Sequence, residues 1–551
     1  MKKKNKSLKI RFLGGVGEIG KNMTAFEYGS DIIIVDVGLT FPTVDMPGID
    51  LVIPDTTYIL QNKERVKGIV LTHGHEDHIG GLPYLLKELK VPVYGTKLTL
   101  ALAEHKLKEQ NVKGVKLNTV KPSSKVNLGC FNVEFIHVNH SIAGACALAI
   151  NTPVGTILHS GDFKIDLTPI SGEIADITRF SEIGKKGVLL LMCESTNVER
   201  RGYSMSEQVV GETLDKLFAA NHKKRLIIAT FASNVYRVQQ IINLAAKYKR
   251  KVALSGRSMI NVVEIAKKIG EMEIPDGLLV DIDKIKNIQD KDLVIVSTGS
   301  QGEQMSALTR MASDEFSQVK IGVNDTIIIS ASPIPGNEKS VYTVINNLYR
   351  KGAEVVYDDL NSIHVSGHAC QEELKIIHSL IKPKFFIPVH GEFRHLKKHC
   401  MLAKELGMKE SNMLICDLGD TVELTQKSIK RGERFNAGSK LVDGLAIDQT
   451  QTLVRDRIHL AEDGIIVAIC CVSAETGEFI QDPEFVIRGV VLSDGQTAEL
   501  KSIVVSTVNE YGNKVIGDNL ELRQKIRKNL KNYIYKQTKN TPIILPVVTE
   551  I

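Results

Sequence analysis

Residues 72–78 read THGHEDH, which places His73, His75, Asp77 and His78 within six residues, on the segment leaving the apolar run GIVLTHG. Three imidazoles and a carboxylate this close together are a donor set for a borderline-soft divalent ion, zinc first, with manganese admissible. Further donors follow other apolar runs: His140 after NVEFIHVN, Asp162 after TILHSG and His390 after FFIPV. One such residue alone is more often structural, but several strand ends delivering polar groups to one sheet edge are the layout of a site. Counting donors gives His73, His75 and His140 for one ion, Asp77, His78 and His390 for a second, and Asp162 as the bridge, hence two divalent metal ions per chain. Asp36 ends the run IIIVD and reads as an acceptor that orients a ligand imidazole, with a plain turn residue as its competing role. Two ions roughly 3.5–4 Å apart clamp the attacking and leaving oxygens of an in-line displacement at phosphorus, and zinc acidifies water toward neutral pH, so the chemistry expected is hydrolysis.

Gly15, Gly17 and Gly20 form a GxGxxG after the strand-like IRFL, the outline of a dinucleotide-binding turn. That fingerprint needs a helix after the glycines. Here NMTAFEY, a GSD turn and IIIVDVG read as a β-hairpin, so the glycines are expected to turn the backbone at the rim of a site.

The elements that must carry these groups follow from pattern. From Leu8 to about Arg200, short β-rich runs dominate, with helices chiefly near 80–90 and 97–109, a sheet-dominated α/β layer structure. From about 206 to 360, helices and strands alternate, which predicts a parallel, doubly wound sheet. The run FFIPVHGE returns to the first style, so the middle domain is inserted into the first. The polar, basic QKSIKRGERFNAGSK reads as a linker over 426–445, and two strands, two helical stretches and a final PIILPVV over 446–551 read as a small α+β domain. The boundaries expected are therefore 1–205 and 361–425 for the first domain, 206–360 for the insert and 446–551 for the last.

With 551 residues the chain has room for three or four cores, and its 43% hydrophobic and 24% charged residues are ordinary globular values. The net charge of +6 is too small over this length to identify a partner. Eight cysteines without a CxxC pair suggest neither a zinc ribbon nor a disulfide framework, pointing to a reducing, cytoplasmic location. The basic MKKKNK lacks the apolar segment of a signal peptide, and the longest apolar runs, such as 464–472, cannot span a bilayer, so no membrane is expected.

HxHxDH followed by His140, Asp162 and His390 resembles the metallo-β-lactamase fold, an αβ/βα sandwich. Glu194 in CESTN, His368 in HVSGHA and His390 in PVHGE resemble its nucleic-acid-processing beta-CASP group. GGVGEIGKN, FASNVYRVQQ, SGRSM, STGSQGE, ASPIPGNE and HVSGHA are similar to the bacterial ribonuclease J family, nearly end to end. The acid in CESTN is Glu where that family more often has Asp, one methylene longer.

The resemblance implies a two-metal ribonuclease acting on single-stranded RNA, 5′ to 3′ from 5′-monophosphate ends and also internally, in RNA maturation and mRNA decay. It implies Asp77, Glu194 and His368 as catalytic residues, and a terminal-phosphate pocket of His364, Val365, Ser366, Gly367 and His368 with help from Ser233. Residues 221–251 hold eight Lys and Arg and no acid, interleaved with Phe231, Tyr236 and Tyr248, a patch for a phosphate backbone or simply a solvated face. Expected partners are further copies of the chain, as homodimer or homotetramer through 446–551, and an RNA-degradation complex. Two other classes compete: a thioester or lactone hydrolase on the same fold, which needs neither the insert nor HVSGH, and a non-catalytic RNA-binding scaffold, which the complete donor set disfavours.

Overall fold

The computed structural model describes residues 7–551 except 44, 302, 304–305, 334–336, 358–362, 445, 449–450, 477 and 512–519. The chain divides into two compact units, residues 1–40 with 52–440 and residues 41–51 with 441–551. Phe41–Leu51, expected in the first domain, thus belongs with the C-terminal unit. The expected boundary at 360 and parts of STGSQGE and ASPIPGNE lie outside the described residues.

In the first unit, one eight-stranded sheet runs in the order Ile429–Arg431, Thr421–Leu424, Leu8–Gly14, Met23–Tyr28, Asp31–Val35, Val66–Val70, Val93–Gly95, Leu117–Thr119. A six-stranded sheet has the order Phe385–Val389, Leu190–Glu194, Gly155–His159, Cys146–Thr152, Phe131–His137, Lys125–Leu128. Alternation fixes how they stack. Leu8, Ile10, Phe12, Phe26, Ile33 and Val35 share one core with Phe131, Val133, Phe135, Leu148 and Ile150 of the other sheet. The opposite faces are covered by helices: Leu82, Leu85, Leu98 and Leu102 pack on Ile32, Ile34 and Ile69, and Phe180, Ile183, Leu374 and Ile377 on Leu158 and Leu191. Each such side chain fully withdrawn from water contributes about 1.5–3 kcal/mol. The result is the helix–sheet–sheet–helix sandwich expected.

The insert carries six strands in one parallel sheet, ordered Leu279–Val280, Lys251–Ser255, Leu293–Ser297, Arg225–Ala229, Asp325–Ile329, Glu354–Val356. Leu293–Ser297 and Asp325–Ile329 are buried along their whole length because helices cover both faces of a parallel sheet. The helix expected over 301–311 is described only as Ala307–Ala312. The linker reading needs correction at both ends: Ile429–Arg431 is a strand paired with Thr421–Leu424, and Ser439–Asp443 is a strand paired with Ala446–Asp448.

The second unit contains a sheet ordered Glu484–Arg488, Ile465–Val472, Ile543–Glu550. Helices Asp494–Tyr511 and Leu520–Thr538 pack on it through Leu500, Val504, Leu522, Ile526 and Leu530, and a third helix, Gln451–Asp463, joins the two expected. All eight cysteines are free, and no helix among the described residues is long and apolar enough to cross a membrane.

Candidate metal centre and substrate pocket

Strand Val66–Val70 ends in Leu71 and Thr72, and the loop that follows carries His73 and His75 into the short helix Glu76–Ile79. Nε2 of His73 and Nε2 of His140 each lie 3.1 Å from Nδ1 of His75. Three nitrogens at this spacing suit ligands about 2.0–2.1 Å from a common ion. Burial holds His73 and His140 well below the usual histidine range and His75 at about 4, so all three rings are neutral and offer lone pairs.

Beside this trio a second group converges, formed by Asp77, His78, Asp162 and His390. His390 Nε2 is 3.0 Å from Asp77 Oδ2, and His78 Nε2 is 3.2 Å from Asp162 Oδ2. The same Asp162 oxygen stands 3.7 Å from His73 Nε2 and 3.5 Å from His390 Nε2, between the two groups. Here electrostatics run the other way. Burial disfavours the Asp162 carboxylate, yet His390 and His78 hold it well below the usual range; burial also disfavours charge on His78, which Asp162 and Asp77 nevertheless raise well above its usual value. The buried Asp162 and the partly exposed Asp77, drawing protons onto neighbouring imidazoles, mark a place that demands positive charge. One divalent ion in each group fits both donor sets.

The rings of His78, His390 and His140 are oriented by their far nitrogens. Asp36 Oδ2 lies 2.8 Å from His78 Nδ1, and its two oxygens also accept Thr72 N–H and Thr72 O–H at 2.8 Å each. Thr196 Oγ1 is 2.9 Å from His390 Nδ1, and the Gly367 carbonyl is 2.7 Å from His140 Nδ1. Gly367 has to be glycine: a Cβ there would stand 2.8 Å from the His140 ring. Gly15, with φ of 77°, turns the backbone beside the cluster, and its carbonyl accepts His390 N–H at 2.7 Å. A hairpin of Met23–Tyr28 and Asp31–Val35 follows, as expected. Thr196 and Asn22, whose Nδ2 is 3.0 Å from His78 Nε2, are participants that the sequence reading missed. Their only signal was adjacency, Asn22 to the glycine turn and Thr196 to Glu194.

Glu194 Oε2 is 2.9 Å from His368 Nδ1, while its Oε1 accepts Phe163 N–H at 2.9 Å. Burial opposes a proton on His368, but the Glu194 charge outweighs it and lifts this histidine to about 9. Asn197 Nδ2 ties the loop down, donating to Ser366 Oγ at 2.7 Å and to the His368 carbonyl at 3.1 Å.

The expected pocket residues have unequal roles. Val365 is 3% exposed and belongs to the core, so only its backbone is available to a ligand. His364 Nδ1 lies 3.0 Å from Arg237 Nη1, and since a guanidinium only donates, His364 carries its proton on Nε2. Burial and then the Arg237 cation hold His364 at about 3, a neutral donor. Ser233 is half-buried just before helix Val235–Lys247.

Most cations of the basic stretch 221–251 are tied down, while Lys223 and Lys249 stay exposed. Arg237 is fully buried with both Nη2 contacts to Glu207 at 2.7 Å, Arg225 pairs with Asp325, Lys224 with Glu354 and Lys247 with Asp215. Arg250 and Lys251 donate to backbone carbonyls.

Family models match four stretches: the metallo-beta-lactamase superfamily over 16–182, the ribonuclease J beta-CASP domain over 223–348, the Zn-dependent metallo-hydrolase RNA specificity domain over 352–414 and the ribonuclease J C-terminal domain over 452–551. Ribonuclease J of Synechocystis sp. is 43% identical over 98% of this chain and 86% of its own. Ribonuclease J2 of Bacillus subtilis is 40% identical over 100% of both chains, and ribonuclease J of Thermus thermophilus 40% identical over 98% and 94%. A crystal structure of a protein of unknown function from Enterococcus faecalis shares the fold, with a TM-score of 0.55 at 19% identity over 76% of this chain and 100% of that one.

Proposed function

Because the chain belongs to the ribonuclease J family, we propose that it is a two-metal ribonuclease that cleaves single-stranded RNA 5′ to 3′ from 5′-monophosphate ends and also internally, in RNA maturation and mRNA decay. The observation that carries this reading is one Asp162 oxygen facing both donor groups, with the Glu194–His368 pair alongside: His368 Nδ1 is 3.9 Å from that oxygen. When bound, the ions, zinc first or manganese, supply Lewis acidity toward the phosphoryl oxygens and lower the pKa of water.

The rest of the work belongs to side chains. Asp77 and Asp162 concentrate negative charge where cations are held, and Asp36, Thr196 and the Gly367 carbonyl fix the tautomers of His78, His390 and His140. Glu194 keeps His368 protonated and aimed, so that its imidazolium meets the charge developing on the leaving 3′ oxygen. His364, locked as a neutral Nε2 donor, Ser366, the backbone of Val365 and Gly367, and Ser233 receive the terminal phosphate. The second unit is read as the assembly module, giving a homodimer or homotetramer: Val486, Leu545 and Val547 of its sheet are all more than two-fifths exposed, an apolar surface suited to another copy. Truncation near Lys440 is expected to lower the mass seen in light scattering.

The deciding experiment incubates the protein with 5′-monophosphorylated single-stranded RNA, with and without EDTA. Mononucleotide release that EDTA stops and zinc or manganese restores supports the reading; release insensitive to chelation rejects it.

A further inference from the structure

One strongly cationic surface has no part in the reaction above: the outer side of helix Leu520–Thr538 in the second unit. Leu522, Ile526, Leu530 and Ile534 form its buried stripe, packed in one core with Ile466, Ala468, Ile544 and Val548 of the sheet. Residues 522–540 contain seven Lys and Arg and no Asp or Glu. Some of these cations have structural work. Arg523 and Arg527 donate to the carbonyls of Val548 and Ile544 on strand Ile543–Glu550, and Lys525 pairs with Glu510. Lys528, Lys531 and Lys536 are exposed and make no ion pair among the described residues. Tyr535 stands 51% exposed between them, with Lys539 Nζ 5.5 Å from its ring centroid.

A helix face that serves only to meet water ordinarily mixes signs, with acids and bases three or four residues apart. This one places like charges at those spacings: Arg527 with Lys531 and Lys528 with Lys531. Such repulsion weakens a helix, and a polyanion relieves it. The contrast with 221–251 is one of degree, since there four of the eight cations already have acidic partners and two more donate to backbone carbonyls. From Lys528 to Lys536 the helix rises about 12 Å, room for several successive phosphates.

We propose that this face binds the phosphate backbone of single-stranded RNA, with Lys528, Lys531 and Lys536 on the phosphates and Tyr535 as a platform for a base. The proposal rests on the ribonuclease reading, because it extends the RNA contact to a second surface.

The test uses the full chain in EDTA, which stops cleavage, and a fluorescein-labelled oligouridylate of roughly 30 nucleotides, read by anisotropy across a salt series. Lys528→Gln, Lys531→Gln and Lys536→Gln together are expected to weaken binding by on the order of 10-fold and to flatten the log–log salt slope by about 2, from about 0.7 per lost phosphate contact. Tyr535→Ala is expected to weaken binding several-fold without changing that slope. Equal melting temperatures establish that the variants are folded. Wild-type affinity and slope in the triple variant overturn the proposal, as does a triple variant that keeps RNA affinity and loses binding to phosphatidylserine vesicles. Wild-type protein that neither binds nor cleaves RNA brings down the ribonuclease reading itself; wild type that does both, beside an unaffected triple variant, removes only this surface.

Discussion

The strand-end cluster and the basic stretch 221–251 are both dense in functional-looking side chains, yet they end in opposite states. In the cluster, the His73–His75 loop, His140, Asp162 and His390 come from four separate segments and converge with their donor atoms facing one another. In the basic stretch, Arg237, Arg225, Lys224 and Lys247 find acids 30, 100, 130 and 32 residues away and are spent on holding the insert together. A ligand's role follows from its own chemistry and its place at a strand end. A cation's availability depends on partners that its neighbours in sequence do not reveal.

Perturbing the cluster should produce the largest effects. Asp162→Ala removes the oxygen that faces both donor groups, and cleavage is expected to fall below detection together with bound metal, checked by mass spectrometry of the metal content. Next come Glu194→Gln and His368→Ala, each expected to cut turnover by on the order of 100-fold at near-normal metal content and RNA affinity. Their double variant should be little worse than either single one, since the pair acts as a unit; additive losses would separate them. Thr196→Val deprives His390 Nδ1 of its partner and is expected to weaken metal binding by about 10–100-fold, measured by competition with a chelating dye.

The basic stretch should respond differently. Arg225→Gln leaves the nearly fully buried Asp325 with a weakened partner, so about 1–3 kcal/mol of stability should be lost in a denaturant titration while RNA affinity stays unchanged. A clear loss of RNA affinity without destabilisation would return this stretch to the RNA-binding surface. The smallest effect is the pH response of a buried histidine outside the metal cluster. Burial holds His378 at about 4, below the usual value near 6.5, so between those values the unfolded chain binds a proton that the native chain does not. Stability is therefore retained above about 6.5 and lost as pH falls toward 4, by on the order of 1–2 kcal/mol at pH 5 for this one group. A His378→Gln variant with an unchanged acid slope would assign that loss elsewhere.

How much of this was legible depended on distance along the chain. THGHEDH announces itself within seven residues, and the alternation of apolar runs placed His140, Asp162 and His390 at strand ends before any contact was known. The sandwich and the parallel insert followed from the same periodicities. What pattern could not show were pairings between remote segments: Thr196 with His390, Asn197 with Ser366, Glu207 with Arg237. Hydroxyls, amides and ion pairs of this kind are common throughout a sequence, and only the packed fold selects among them. The swap of Phe41–Leu51 into the C-terminal unit was hidden for the same reason.

The central claim is that Asp77, His78 and His390 hold one ion, His73, His75 and His140 another, with Asp162 facing both, and that cleavage needs both. Its most direct measurement titrates zinc or manganese into metal-stripped protein while recording metal bound per chain and RNA cleavage in the same samples. The account expects saturation at two ions per chain, activity rising to its plateau only as the second site fills, and both responses lost in Asp162→Ala. Full cleavage by metal-stripped protein, or a plateau of activity at one ion per chain, would contradict it.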